Sequence, residues 1–205
     1  MKTSMRASAG KAGLGVLIAV FFSSCVVTTS DQPNQPMAVK AEKPFAAGGS
    51  IEMQLDGGNY EIRAASGDRI RISFGGNTGN ATADVTTTGA HATLAVKDTP
   101  HSNFKATIEA PQTTDLVVHL TGGNLELAGI NGSKDIDSKA GNVTVAVGDS
   151  NDYASVDASV TVGNLDAGPF GKADSGIRSH LTWSGHGKYT LRANLGAGNL
   201  ELKGK

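Results

Sequence analysis

A five-residue motif recurs along the chain and limits its possible folds more than any other feature. Each copy has glycine, asparagine, an apolar residue, any residue and a second apolar residue. The copies begin at Gly58-Asn59, Gly123-Asn124, Gly141-Asn142 and Gly198-Asn199, with a degraded copy at Gly163-Asn164. Glycine adopts positive φ without steric cost, and asparagine reaches the left-handed region more easily than other residues with side chains. The pair therefore predicts a sharp corner, and the apolar residues after it predict a strand with one inward face.

Period-two alternation dominates the sequence from residue 45 onwards. Ile70, Ile72 and Phe74 alternate with polar residues, and the same pattern recurs at Leu116, Val118 and Leu120 and in many other segments. Alternation of this kind places every second side chain on one face of a β-strand. No segment after residue 45 has a sustained helical period. The sequence therefore predicts a single all-β domain over residues 45–205.

The spacing of the motif favours stacked coils. The copies at Gly123, Gly141 and Gly163 are 18 and 22 residues apart, which is close to the length of one turn of a β-solenoid. In such a stack the asparagine amides of successive turns would bond to one another. The prediction is a β-solenoid-like domain of short stacked strands with Gly-Asn corners. The alternative is an antiparallel β-sandwich with Gly-Asn hairpin turns, and the hairpin predicted over residues 82–96 suits either fold.

The N-terminus has the pattern of an export signal. Lys2, Arg6 and Lys11 precede an apolar run over residues 12–22. As a helix this run would measure about 17 Å, far less than the ~30 Å hydrocarbon core of a bilayer. A positively charged segment followed by a short apolar segment is typical of a secretory signal peptide. We therefore expect residues 1–24 to be removed on export.

The apolar run leads into Phe22-Ser23-Ser24-Cys25, which resembles the lipobox of bacterial lipoproteins. The resemblance implies that Cys25, the single cysteine of the chain, is lipidated and becomes the mature N-terminus. Two or more acyl chains would hold the protein stably on a membrane. Residues 25–44 are rich in Thr, Ser, Gln and Pro and predict a flexible tether. Ordinary signal cleavage, which would leave a spare thiol, is the alternative.

Two segments resemble an uncharacterised bacterial family of putative adhesin domains. Residues 49–74 resemble its entry, where a Gly-x-apolar-x-Ile strand is followed by a Gly-Asp-x-apolar-x-apolar strand. Residues 106–147 resemble its middle, where a proline after a strand leads into repeated Gly-x-apolar-x-apolar strands, and Ser175-Gly176 matches a further Ser-Gly of the family. The resemblance covers about residues 45–205. It implies a coiled or single-sheeted β architecture and assigns no role.

The composition and motifs exclude several kinds of chemistry. A formal net charge of −1 excludes a strongly basic nucleic-acid binder, and a single cysteine excludes an intrachain disulfide or a Cys-rich zinc site. The histidines lack metal-ligand spacing, and Asp174-Ser175-Gly176 has no second copy to form an aspartic-protease pair. The sequence therefore predicts no catalytic residue, metal or cofactor. Trp183 and Tyr189 are weak candidates for stacking against a sugar ring.

These observations predict a non-enzymatic protein of the bacterial cell envelope. Its role would be a structural or adhesin-like interaction module, anchored to a membrane by its N-terminal lipid, at the outer membrane or cell surface. Its partner would be an unidentified envelope protein or glycan. Two other hypotheses stay open. One is a β-helix that binds or cleaves carbohydrate, and the other is an envelope-stress sensor that binds its partner along a sheet edge.

Overall fold

The computed structural model describes residues 37–172 and 176–204, and nearly all of its regular structure is strand. The first strands are β1 (Ala38–Pro44), β2 (Ser50–Leu55), β3 (Gly58–Ala65), β4 (Arg69–Gly76), β5 (Thr82–Thr88) and β6 (His91–Lys97). The later strands are β7 (Phe104–Pro111), β8 (Asp115–Leu120), β9 (Gly123–Ala128), β10 (Lys134–Gly148), β11 (Tyr153–Asp166), β12 (Gly176–Ser184) and β13 (Tyr189–Gly204). Two short 3₁₀ helices span Ser150–Asp152 and Gly168–Phe170. Within the described ranges, no helix is long and apolar enough to cross a membrane.

The centre of the sheet consists of parallel strands in two series. The first series runs β6-β2-β8-β10-β13-β11, and the second runs β7-β3-β9-β10-β13-β11. The strands β10, β11 and β13 are long enough to belong to both, because the first half of each lies in one series and the second half in the other. Antiparallel strands lie at the outer ends, where β5 pairs with β6, β4 with β7 and β12 with β11.

Inward side chains line up from strand to strand. One such column of the first series contains Met53, Val118, Ile136, Ala193 and Ala158, all of which are buried. A column of the second series contains Tyr60, Leu125, Val143, Leu200 and Leu165. The columns of both series belong to one continuous hydrophobic core. Because burying a side chain the size of valine, leucine, isoleucine or methionine contributes about 1.5–3 kcal/mol, these columns stabilise the stacked strands.

The glycines of the motif lie directly beside one another on neighbouring strands, in the order Gly58, Gly123, Gly141, Gly198, Gly163. Gly141 has φ of 128°, a conformation that side-chain-bearing residues rarely adopt. A Cβ at Gly141 would overlap the carbonyl oxygen of Gly123, and a Cβ at Gly198 would overlap that of Gly141. The corners at Gly123, Gly141, Gly198 and Gly163 therefore need glycine both for their backbone conformation and for the close approach of the next strand.

The order of the strands in the stack differs from their order in the chain. The last strand, β13, lies between β10 and β11. The chain passes from β11 to β12, which pairs antiparallel on the outer side of β11, before β13 enters the stack. The spacing of the motif along the chain does not predict this strand order, because motif copies with nearly identical sequences could pair with one another in any order.

The all-β prediction is confirmed, and so is the hairpin predicted over residues 82–96, which appears as β5 and β6. The antiparallel sandwich disagrees with the pairings, because every pairing between two motif-bearing strands is parallel. The Gly-Asn pairs are therefore not hairpin turns. The β-solenoid stays a prediction. The proposed signal peptide and Cys25 lie outside the described residues.

The predicted tether over residues 25–44 needs correction at its C-terminal end. Ala38–Pro44 is a strand that pairs antiparallel with β4. The carboxylate of Glu42 contacts Arg71, with Oε2 2.9 Å from Nε, and also Arg69, with Oε1 3.3 Å from Nη1. A segment of mainly polar residues cannot bury enough apolar surface to fold by itself. A polar composition does not prevent an edge strand from forming, since backbone hydrogen bonds to an existing sheet and ion pairs suffice there.

We expect Gly141→Ala to destabilise the protein much more than Gly148→Ala. Both glycines have positive φ, but a Cβ at Gly148 would meet no atom within 4 Å. The control should cost about 1–2 kcal/mol for its backbone conformation, whereas Gly141→Ala also forces adjacent corners apart and should cost over ~4 kcal/mol or prevent folding. Urea denaturation followed by circular dichroism measures both. Equal losses would show that the corners are not closely stacked.

Candidate functional site

The five motif asparagines form a hydrogen-bonded ladder on the outer surface, beside the glycine corners. The Nδ2 of Asn124 donates to Oδ1 of Asn59 at 2.6 Å, Asn142 to Asn124 at 2.8 Å, Asn199 to Asn142 at 2.7 Å and Asn164 to Asn199 at 2.9 Å. At one end the Nδ2 of Asn59 donates to the carbonyl oxygen of Phe104 at 3.1 Å. The structure therefore places all five Gly-Asn pairs side by side on adjacent strands, and the ladder connects each motif-bearing strand to the next.

A second outer row follows the ladder two residues further along each strand. It contains Glu61, Glu126, Thr144, Glu201 and Asp166. Two of these carboxylates lie close to a cation that stands two residues further along the same strand. Arg63 Nη1 is 3.4 Å from Glu61 Oε1, and Lys203 Nζ is 3.1 Å from Glu201 Oε2. The row gives this face a negative, solvated surface. The charged residues at outward strand positions in the sequence indicated such a solvated face.

The histidines are dispersed over the surface. His180 lies 3.3 Å from Asp157, and His119 lies 3.7 Å from Asp137. His91 Nδ1 is within hydrogen-bonding distance, 2.9 Å, of the Ser50 hydroxyl. Across residues 37–172 and 176–204 there is no group of three His, Cys, Asp or Glu side chains arranged to hold a metal ion.

A cleft of about 520 Å³ opens beside the first two corners. It is lined by residues 99–103 of the loop between β6 and β7, by Phe104 at the start of β7, and by residues 56–59 and 121–123. The loop is fixed at one end, because Asp98 N–H donates to Asp56 Oδ2 at 2.9 Å and the Thr99 hydroxyl donates to the Gly57 carbonyl at 2.6 Å. Sequence reasoning missed this cleft, since the loop carries no corner motif.

The two aromatic candidates for sugar stacking are half-buried and pack against other rings. Trp183 lies 5.0 Å from Phe170, and Tyr189 lies 6.2 Å from Tyr153, measured between ring centroids. The ammonium of Lys188 also lies 4.6 Å from the centroid of Tyr189. These contacts show that both rings take part in packing near β11, while each stays partly exposed.

Lys134 is buried in the core, and no motif or pattern in the sequence marks it. It occupies an inward position of β10, in register with Leu116 and Leu191 on the adjacent strands. Its Nζ donates to the Gly132 carbonyl at 2.9 Å and to the Tyr153 hydroxyl at 3.0 Å. Burial lowers the pKa of Lys134 to about 8, against a smaller opposing effect of Asp115. The same environment raises the pKa of Tyr153 to about 12, chiefly through burial.

The comparisons with known proteins identify structural neighbours alone. No family model matches the chain, and no curated protein matches it. The crystal structure of a putative cell adhesion protein from Clostridium sporogenes is similar, with a TM-score of 0.50, 13% identity, and coverage of 83% of this chain and 100% of that one. A putative adhesin from Bacteroides fragilis matches with a TM-score of 0.24, 9% identity, and coverage of 83% of this chain and 99% of that one. The likeness to the Clostridium sporogenes protein is a likeness of fold alone.

We expect the free energy of unfolding to rise by about 2 kcal/mol between pH 7 and pH 9.5 because of Lys134. Its pKa falls from 10.5 unfolded to about 8 folded. The folded state therefore favours the neutral amine, and the penalty for holding the cation disappears as the pH rises through this window. Lys134→Met should abolish the rise, and Lys139→Met, at an exposed position of the same strand, should keep it. Urea denaturation at several pH values gives the slope, and an unchanged slope in Lys134→Met contradicts the assignment.

We expect Asn142→Ala to destabilise the protein about twice as much as Asn164→Ala. Asn142 makes two ladder hydrogen bonds, and Asn164, at the end of the ladder, makes one. Each bond should contribute about 0.5–1.5 kcal/mol. Denaturant unfolding of the two variants beside the wild type tests this difference. If both variants match the wild type, the ladder contributes nothing to stability.

Proposed function

We propose that this protein is a non-enzymatic, adhesin-like interaction module, lipid-anchored at the bacterial cell envelope. The observation that carries the proposal is the in-register stack of five motif-bearing strands. It forms a rigid scaffold with long, polar outer faces. Such faces are suited to presenting repeated contacts to a large partner. The structural likeness to a putative cell adhesion protein supports the same role.

The scaffold in this proposal is a β-solenoid-like stack. Each level consists of a first-series half and a second-series half joined at a Gly-Asn corner. The asparagine ladder, the close contacts between corner glycines and the inward apolar columns support this interpretation, since all three require vertical registry. Nearest-neighbour contacts between levels then supply most of the stability, as in other repeat proteins.

The side-chain arrangement favours binding over catalysis. Catalysis requires a nucleophile, base or metal whose reactive groups converge on one point. The outer polar groups of this stack instead run in rows, and they bond to the equivalent residue of the next strand or to an opposite charge, as Arg63 does with Glu109 at 2.9 Å. Rows of this kind can contact a partner at several levels at once.

Membrane attachment in this proposal rests on Cys25. The chain between Cys25 and the start of β1 at Ala38 would reach up to about 40 Å at ~3.1 Å per residue. Dual acylation at the cysteine would anchor the protein stably, whereas a single chain binds membranes marginally. The stack would then stand clear of the lipid surface, with its outer faces accessible to partners.

We expect Cys25→Ser to release the protein from the membrane fraction of a bacterial host that processes lipoproteins, because the acyl chains need the thiol. Ser24→Ala keeps a small residue before the cysteine and serves as the matched control. Fractionation followed by immunoblotting measures the distribution. A membrane-bound pool of unchanged size in Cys25→Ser would refute lipid anchoring.

The adhesin-like role has its own test. Cells that display the wild type should attach more strongly to neighbouring cells or to envelope-coated surfaces than cells that make Cys25→Ser. Attachment at the same level in both strains would contradict the role. Release of reducing sugar ends from polysaccharides by the purified chain would contradict the non-enzymatic part of the proposal.

A further inference from the structure

A row of short polar side chains crosses the outer face of the first series. Its five members lie in register on adjacent strands, one from each of β2, β8, β10, β13 and β11. They are Gln54, His119, Asp137, Asn194 and Ser159. No sequence pattern marks this row, because its members come from segments with unlike motifs.

The row is held in place by its own hydrogen bonds. Asn194 Nδ2 donates to Asp137 Oδ1 at 2.9 Å, and the Ser159 hydroxyl donates to Asn194 Oδ1 at 2.8 Å. His119 Nδ1 lies 3.7 Å from the other carboxylate oxygen of Asp137. These bonds fix the side chains before any ligand arrives, and they leave further donor and acceptor positions directed at solvent. Preorganisation of this kind reduces the entropy cost of binding.

The row lines an open cavity of about 500 Å³ on this outer face. Leu120, Ser138 and Leu195 also border the cavity, but they occupy buried, inward positions of β8, β10 and β13. Asp137 and Asn194, at the centre of the row, are half-buried, so part of each side chain stays accessible from the cavity. The row therefore presents its polar groups to a ligand that lies on the outer face.

The chemistry of the row selects a neutral, hydroxyl-rich ligand. One carboxylate faces one imidazole in the row, and Lys139 adds a cation at the edge of the cavity, so no cluster of a single charge is present among these residues. An anionic ligand would need such a cluster of cations. Amide, carboxylate, imidazole and hydroxyl groups, by contrast, donate to and accept from sugar hydroxyls. The row has no aromatic platform, so recognition would depend on hydrogen bonds.

The spacing of the row indicates an elongated ligand. Adjacent strands lie about 4.8 Å apart, which is comparable with the length of one sugar ring. We propose that the row Gln54, His119, Asp137, Asn194 and Ser159 binds a linear neutral oligosaccharide laid across the strands, with about one sugar for each strand. This inference deepens the proposed adhesin-like function by naming its ligand class, and it rests on that function for its biological meaning.

Calorimetric titration of the purified full chain with cellohexaose and with chitohexaose tests the proposal. We expect at least one of them to bind, with Kd about 1 mM. Asn194→Ala should weaken that binding about tenfold, because it breaks the central link of the row. Asn199→Ala lies on the same strand but in the structural ladder of the other series, and it should leave the affinity unchanged.

Ser159→Ala provides a second variant that should fold whatever the outcome for Asn194→Ala, because it removes a single hydroxyl at one end of the row. It should also weaken binding, while its melting temperature should stay close to that of the wild type. Unchanged affinity in both row variants overturns the proposal, and so does binding of neither oligosaccharide or binding that Asn199→Ala removes.

The failure of this inference and the failure of the proposed function give different results. If cells displaying the chain attach to surfaces while neither oligosaccharide binds, the oligosaccharide site is refuted and the adhesin-like role stands. If an oligosaccharide binds and Asn194→Ala weakens it while attachment is absent, the site stands and the adhesin-like role is refuted. Tighter binding of an acidic polysaccharide than of either neutral probe would also overturn the ligand class.

Discussion

The architecture depends on the close approach of backbone to backbone at the glycine corners. Four of the five corner glycines lie so near the carbonyl of an adjacent one that no side chain fits between them. This contact brings the following asparagines within hydrogen-bonding distance and sets the register of the apolar residues beyond them. Since a shift by one residue would turn every inward side chain towards solvent, the corners determine which residues form the core.

Much of the fold could be predicted from local patterns in the sequence. Alternation identifies strands because a strand exposes side chains in turn on two faces, as at Ile70 and Ile72 in β4. The repeated Gly-Asn pairs indicate equivalent corners, as at Gly123 and Gly141, which proved to be neighbours. The position of β13 between β10 and β11 was beyond such reasoning, because equal motifs carry no information about which neighbour each one selects. The strand at Ala38–Pro44 was missed because its stability comes from β4 and not from its own composition.

The candidate sites were harder to predict than the strands. The corner residues were identifiable because a repeated motif marked them. The row through His119, Asp137 and Asn194 depends on pairings between segments that are distant in the chain, and no single segment contains its pattern. Lys134 and Ser138 were hidden for a related reason. A polar residue at an inward position is recognisable once the strand phase and its neighbours are known, and these two interrupt columns that are otherwise apolar.

The placement of β13 also has a kinetic consequence. Until that segment has been synthesised, β11 lacks its parallel partner and β10 lacks one of its neighbours, so the centre of the stack cannot close. Pairings between distant segments make folding slow. A nascent chain of this topology would therefore stay open until the residues of β13 have been made, and its strands would come together only at the end of synthesis or after it.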